Sequence, residues 1–218
     1  MGGVLSHLMP HQIVPDQRAG EFAPDTRDRL LDAALACIAR VGLAKTTLDD
    51  VAREARCARA TLYRYFPGKQ PLVSAAVARE ARRLSDALVV ATTECLSLED
   101  AVVAAVTTAV DALEHHPALQ YVLLVEQEVL LPHLAFHRAD DFLRDASALV
   151  APAFEPFVAA DRLERAAEWM VRIVLSYACS PSPAVDLHDA DSVRMLVSEF
   201  VLPGLVPTTT INTQGVPS

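Results

Sequence analysis

The chain has 218 residues, 52% hydrophobic, 22% charged and 6% aromatic, with seven glycines and a formal net charge of −9. This composition excludes a wholly disordered chain, and scarce glycine beside abundant alanine, leucine and valine disfavours a turn-rich β sandwich. The acidic balance excludes an indiscriminate nucleic-acid coat, and the longest uncharged helical run, Ala101–Val110, falls well short of the ~20 residues that cross a bilayer.

In chain order, residues 1–23 carry no periodicity and read as a mobile tail. From Asp25 a helical pattern begins: Leu30, Ala34 and Ile38 share one face beside Leu31, Leu35 and Ala39, and Gly42 is a C′ stop. Thr47 and Asp50 form a capping box before a short helix, Leu48 to Ala55. A second short helix, Arg59 to Phe66, ends at Pro67-Gly68, and Lys69 restarts a helix that continues through Arg83 to about Thr93. Ser97 with Asp100 caps the next helix, which runs to His115-His116, and Ala118 to Leu131 is an apolar helix that stops at Pro132. Asp140 to Val150 follows, then a stretch broken by Pro152 and Pro156. Asp161 with Glu164 caps a helix through Trp169 to about Tyr177, Ser180-Pro181-Ser182-Pro183 is a turn, and Asp189 to Leu202 ends at Pro203-Gly204. Residues 206–218 read as a second mobile tail. The predicted fold class is all-α, with about nine helices.

The charge is unevenly spread. Residues 53–83 hold eight basic residues against Glu54 and Glu80, a net of +6, whereas residues 84–218 hold six basic and 19 acidic, a net of −13. The two parts therefore face different partners.

The stretch Thr47–Phe66, TLDDVAREARCARATLYRYF, places two short helices about three residues apart, so they must cross steeply as in a helix-turn-helix. Leu48, Val51, Ala52 and Ala55 supply the inner face of the first, and Leu62 and Phe66 anchor the second. Arg59, Ala60, Tyr63 and Arg64 are left on the outer side, suited to the DNA major groove, where arginine bridges guanine O6 and N7. Thr47, Thr61, Tyr65 and Lys69 supply hydroxyl, phenol and ammonium donors for phosphates. Tyr63 and Tyr65 lie on different helix faces, so both cannot be core aromatics.

These residues resemble the TetR family of bacterial transcriptional regulators. The resemblance rests on Thr46-Thr47, Asp50-Val51-Ala52 and Thr61-Leu62-Tyr63-Arg64-Tyr65-Phe66-Pro67-Gly68-Lys69, and covers residues 24–84. It implies a DNA-binding domain there and a helical effector-binding and dimerisation domain over 85–205. It further implies a homodimer paired through the last two helices, acting as a repressor released from a palindromic double-stranded operator by a small molecule. By position, Arg59 to Tyr65 is the recognition helix, and Thr47 and Lys69 are phosphate clamps. The turn departs from the family pattern of Gly, a small aliphatic residue and Ser or Thr, because Arg56-Cys57-Ala58 stand there. Arginine at a left-handed position costs about 1 kcal/mol relative to glycine; Ala58 removes a side-chain N-cap worth about 1 kcal/mol. Arg56 is assigned a compensating phosphate contact.

Leu113, Tyr121, Leu124, Phe136, Phe142, Trp169, Met170 and Tyr177 are candidate lining for an effector pocket, and the low charge of their faces points to a largely hydrophobic ligand. Leu163, Ala167, Met170, Val171 and Val174, with Val193, Leu196, Val197 and Phe200, form stripes wide enough for core and dimer together. His115, His116, His133 and His137, with Glu126 or Glu128, hold spacings that can bind metal, but Pro117 and Pro132 make them helix-end caps, and no metal is expected. Cys57 lies beside Arg56 and Arg59, which would favour its thiolate, yet a small apolar packing role is the simpler reading there. No cofactor is expected and no enzyme: there is no nucleophile elbow, phosphate loop or H-E-x-x-H motif. A helical dimer without operator binding is the alternative function. Four widely spaced cysteines, the lack of a signal-peptide pattern and the lack of a membrane span predict a cytoplasmic protein with no membrane partner.

Overall fold

The computed structural model describes residues 24–126, 139–180 and 182–205. The readings for the two tails, for Leu131, and for Glu128, His133, Phe136 and His137 lie outside them. Among the described residues nine helices follow one another: α1 (Pro24–Val41), α2 (Leu48–Glu54), α3 (Arg59–Tyr65), α4 (Lys69–Thr92), α5 (Leu98–Glu114), α6 (Pro117–Val125), α7 (Ala139–Val150), α8 (Ala160–Cys179) and α9, which runs Ala190–Leu196 and Leu202–Leu205 around a π turn, Val197–Val201. A 3-10 turn, Ala151–Ala153, joins α7 to the loop before α8. Among the described residues the only β pairing is an isolated bridge between Ser182 and Val185.

Local chemistry sets most of these boundaries. The Thr47–Asp50 capping box is formed in full. At α5, Ser97 accepts from the Asp100 N–H at 3.1 Å, but the Asp100 carboxylate takes the Ser97 hydroxyl proton instead of reaching the backbone. The Asp161–Glu164 box expected at α8 does not form; the helix starts two residues earlier, after Ala159, which has no polar side chain to cap with. Pro117 stands in the first turn of α6, where its missing N–H costs nothing, and His116 caps that helix by accepting from the Leu119 N–H at 3.1 Å. α9 continues through Pro203, where the sequence predicts a stop. The π turn explains it: the Leu202 N–H reaches back five residues to the Val197 carbonyl, so the ladder is already offset when the proline arrives.

Three apolar clusters hold the elements together. Leu30, Leu31, Ala34 and Cys37 of α1 pack with Val51, Ala52, Leu62, Phe66, Leu72 and Ala76, which closes α1 to α3 and the start of α4 into one head. Ile38, Leu43, Val73 and Ala118 form a smaller cluster that joins the head to α6. The third gathers Leu88 of α4, Ala101, Val102, Val103 and Ala105 of α5, Phe154, Ala166 and Met170 of α8, and Val193, Leu196, Val197 and Val201 of α9. The buried thiol of Cys37 is pushed up by its removal from water.

Polar contacts join the same bodies. Arg79 of α4 is buried and donates to Asp32 Oδ1 at 2.6 Å, to the Asp28 carbonyl at 3.1 Å and to Glu80 Oε1 at 2.9 Å, which bolts the first half of α4 to α1. Glu126, at the end of α6, accepts from the Leu43 and Ala44 N–H groups at 2.7 and 3.0 Å. Gly42 leaves room for that carboxylate. Its φ is +86°, and a Cβ there would stand 2.6 Å from both Glu126 Oε1 and Tyr121 Cε1.

Gly42→Ala therefore meets left-handed strain and a clash at once. It should destabilise the protein by more than the ~1 kcal/mol that the backbone alone imposes, seen as a lower urea midpoint with an unchanged slope.

Candidate nucleic-acid interface

α2 and α3 are presented by a turn of Ala55 to Ala58. The Arg56 N–H donates to the Arg53 carbonyl and the Cys57 N–H to the Ala52 carbonyl, at 3.1 and 3.0 Å, which together make a Schellman closure of α2. That closure needs a left-handed residue, and Arg56 supplies it with φ +51°, alone among the described non-glycine residues. Ala58 takes the N-cap position of α3 and makes no side-chain hydrogen bond. Cys57 packs against the head cluster as a small apolar residue.

With the turn set, Val51, Leu62 and Phe66 are buried, and the side chains assigned to DNA separate by orientation. Arg56, Arg59, Ala60, Tyr63 and Arg64 are exposed, while Thr61 and Tyr65 are half-buried. Tyr65 also packs against the head cluster, with the Arg64 guanidinium 5.9 Å from its ring centroid. Thr47 is exposed at the start of α2, tied to Asp50 by reciprocal hydrogen bonds. Lys69 is turned inward more than its expected clamp role implies: its ammonium donates to the Ala44 carbonyl at 3.1 Å. Removal from water pushes the lysine below its usual range, with the Glu126 charge opposing that shift.

Three residues of this region escape the sequence patterns. Asp49 accepts from Arg59 Nη1 at 2.9 Å. Arg79 and Glu126 fasten the head to α4 and α6, contacts between 47 and 83 residues apart in the chain. A buried arginine on an otherwise apolar helix face was the one available hint.

The basic α3 stands on a folded three-helix head, and residues 30–76, from α1 to the first turns of α4, match the sequence profile of the bacterial regulatory proteins, tetR family. The match to that family lies within this head. An uncharacterized HTH-type transcriptional regulator of Mycobacterium tuberculosis is 29% identical over 183 residues, covering 83% of this chain and 85% of that protein. The TetR family repressor AlkX from Dietzia sp. superposes with a TM-score of 0.60 at 20% identity over 83% of this chain and 96% of AlkX. The fatty acid degradation regulator FadR from Bacillus halodurans superposes with a TM-score of 0.55 at 18% identity over 83% and 98%. The relatives it matches are described as HTH-type transcriptional regulators.

Among the described residues, those assigned to an effector pocket do not all line one cavity. Met170 and Tyr177 line an apolar cavity between α5, α8 and α9, together with Val102, Val106, Ile173 and Leu187, and its volume is about 20 Å³. Trp169 packs beside it against the same cluster. Tyr121 stands at Gly42, Leu124 is 70% exposed, Leu113 gives its carbonyl to Gln120, and Phe142 is half-buried on α7. His115 and His116 lie at the α5–α6 junction as helix-end groups, and no trio of metal-ligating side chains occurs among the described residues. No described helix is long and apolar enough to cross a membrane.

Two outcomes follow. Arg56→Gly should raise stability by about 1 kcal/mol, while the salt slope of DNA binding falls by about one per protomer if Arg56 meets a phosphate. The Thr47 hydroxyl, with the Thr47 N–H and Arg53, holds the Asp50 carboxyl below its ordinary value. The folded head therefore binds that proton more weakly than the unfolded chain. Its contribution is present above the ordinary aspartate pKa of about 3.9 and is lost as pH falls through the lower folded value. Asp50→Asn should flatten acid unfolding in that window, read by circular dichroism.

Proposed function

We propose that the protein is a homodimeric repressor, released from a palindromic operator by a small, largely hydrophobic ligand. The observation that carries this reading is the outer side of α3, where Arg59, Tyr63 and Arg64 are exposed on a helix anchored by Leu62 and Phe66. One such helix contacts few bases, and two copies one helical turn apart read a palindrome. Residues 24–84 act as the DNA-binding unit and 85–205 as the effector and dimer unit. Thr47, Arg56, Thr61, Tyr65 and Lys69 serve the phosphates, Lys69 by exchanging its bond to the Ala44 carbonyl.

The dimer reading is supported by α9. Val193, Leu196 and Val197 are already spent on the protomer's own core, but Met195 and Phe200 remain 45% and 65% exposed. A hydrophobic effector is supported by the apolar lining around Met170 and Tyr177. AlkX, implicated in biodegradation of n-alkanes, and FadR, a fatty acid degradation regulator, agree with that chemistry. A cavity of about 20 Å³ admits one water-sized sphere, so ligand entry must separate α5, α8 and α9.

Release then has two routes to the head. The first half of α4 is bolted to α1 through Arg79, and α6 grips the α1–α2 loop through Glu126. Movement of either helix turns α3 relative to its partner copy. By linkage, DNA and effector weaken each other's binding equally.

Fluorescence anisotropy with DNA from immediately upstream of the gene, at two salt concentrations, tests the reading. Saturable submicromolar binding that resists random DNA and weakens steeply with salt is expected. Palmitate or palmitoyl-CoA should release it, and Arg59→Glu with Arg64→Glu should abolish it. Glu126→Ala strands the two loop N–H groups and should shrink the ratio of operator affinities without and with palmitoyl-CoA toward one. Folded protein whose binding survives both charge reversals would instead be the helical interaction protein.

A further inference from the structure

We propose that Asp49 of α2 is a positioning residue that aims Arg59 at a base edge and thereby sets operator specificity. This rests on the DNA-binding reading above and names a determinant outside the recognition helix.

Asp49 is the second residue of α2, and its side chain is half exposed on the same side of the head as α3. Its Oδ2 accepts from Arg59 Nη1 at 2.9 Å, across the turn. The other terminal nitrogen, Nη2, donates to the Tyr63 hydroxyl at 3.2 Å, and the guanidinium carbon stands 5.3 Å from the Tyr63 ring centroid. The guanidinium is thus held at both ends, by a carboxylate on the preceding helix and by a phenol one turn along its own. A guanidinium carries five N–H groups in a fixed fork. Each terminal nitrogen that gives one N–H to Asp49 or Tyr63 has a second, and those two are the pair that bridges guanine O6 and N7. An arginine held in this way loses less rotamer freedom on binding than one swinging in solvent.

The carboxylate acts a second way. It sets a negative charge beside an exposed cation of α3, where any DNA brings phosphates. Arg59 is therefore discouraged from serving as an indiscriminate phosphate contact, and its attraction is realised only where an acceptor pair meets the fork. This lowers non-specific binding more than specific binding, a built-in penalty on wrong sequences.

Asp49→Asn keeps the size, the polarity and a place in the first turn of α2 while removing the charge. The full chain and the variant are each taken through a randomised-DNA selection. Affinities for the wild-type operator and for random DNA are then measured at several salt concentrations. Asp49→Asn should bind random DNA more tightly and discriminate about tenfold less. It should also lose base preference at the same operator positions as Arg59→Lys, which keeps the charge but not the fork. Adding Asp49→Asn to Arg59→Lys should cost no further preference. Asp49→Ser is the second variant if Asp49→Asn does not fold. Unchanged base preference in the folded variant, or equal tightening on operator and random DNA, overturns the assignment. A wild type that enriches no sequence overturns the regulator reading itself, and Asp49 falls with it.

Discussion

Everything α3 can present to a duplex depends on the four-residue turn that precedes it. Two short helices reach a steep crossing only if α2 is closed sharply, and the closure here is a Schellman pair whose donors are the Arg56 and Cys57 N–H groups. Its cost is a left-handed arginine and an uncapped α3 N-terminus. The burial of Leu62 and Phe66 against α1 and α2 offsets both. Each fully buried side chain of that size contributes roughly 2 kcal/mol, whereas the turn defects cost about 1 kcal/mol each. The packing decides the geometry, and the turn residues adapt to it.

That rigid head is not isolated from the rest of the molecule. Its α1–α2 loop has N–H groups that no helix satisfies, and the Glu126 carboxylate satisfies two of them from the end of α6. A buried carboxylate with two short hydrogen bonds is an all-or-none contact, since half of it leaves an unpaired donor or a stranded charge. Gly42 supplies the space and Lys69 a nearby positive charge. On the other flank, Arg79 ties α4 to α1 through both terminal nitrogens, while its Nε donates to Glu80 of α4 itself. In the release proposed above, movement in the helical body therefore reaches α3 as rotation of the whole head, not as bending within it. This matches a two-state device better than a gradual one.

The charge division gives the same two bodies opposite surroundings. The positive stretch from Arg53 to Arg83 sits on the head side, and residues 84–218 carry a net of −13. An acidic body repels phosphates that the head attracts, which orients the approach to DNA and leaves the apolar interior of α5, α8 and α9 for uncharged chemistry. The same separation recurs at close range, where Asp49 faces Arg59.

The sequence by itself determined what local chemistry controls. The 3.6-residue periodicity, the Thr47–Asp50 box, the Gly42 stop and the Leu62/Phe66 spacing located nearly every helix, the head and its outward face. The TetR resemblance was legible because its motif is contiguous. Local reasoning failed where the outcome depended on neighbours distant in the chain. The Asp161–Glu164 box looked like a cap, yet α8 began before it. Pro203 looked like a stop, yet a π turn held by packing of Val197 and Val201 carried α9 past it. Only the tertiary structure decided which polar groups meet: Asp49 with Arg59, Arg79 with Asp32, Glu126 with the loop at Leu43 and Ala44. Those pairs have no periodic signature. They are chosen by how whole helices dock, and docking is driven by apolar burial that is indifferent to which charges it brings together.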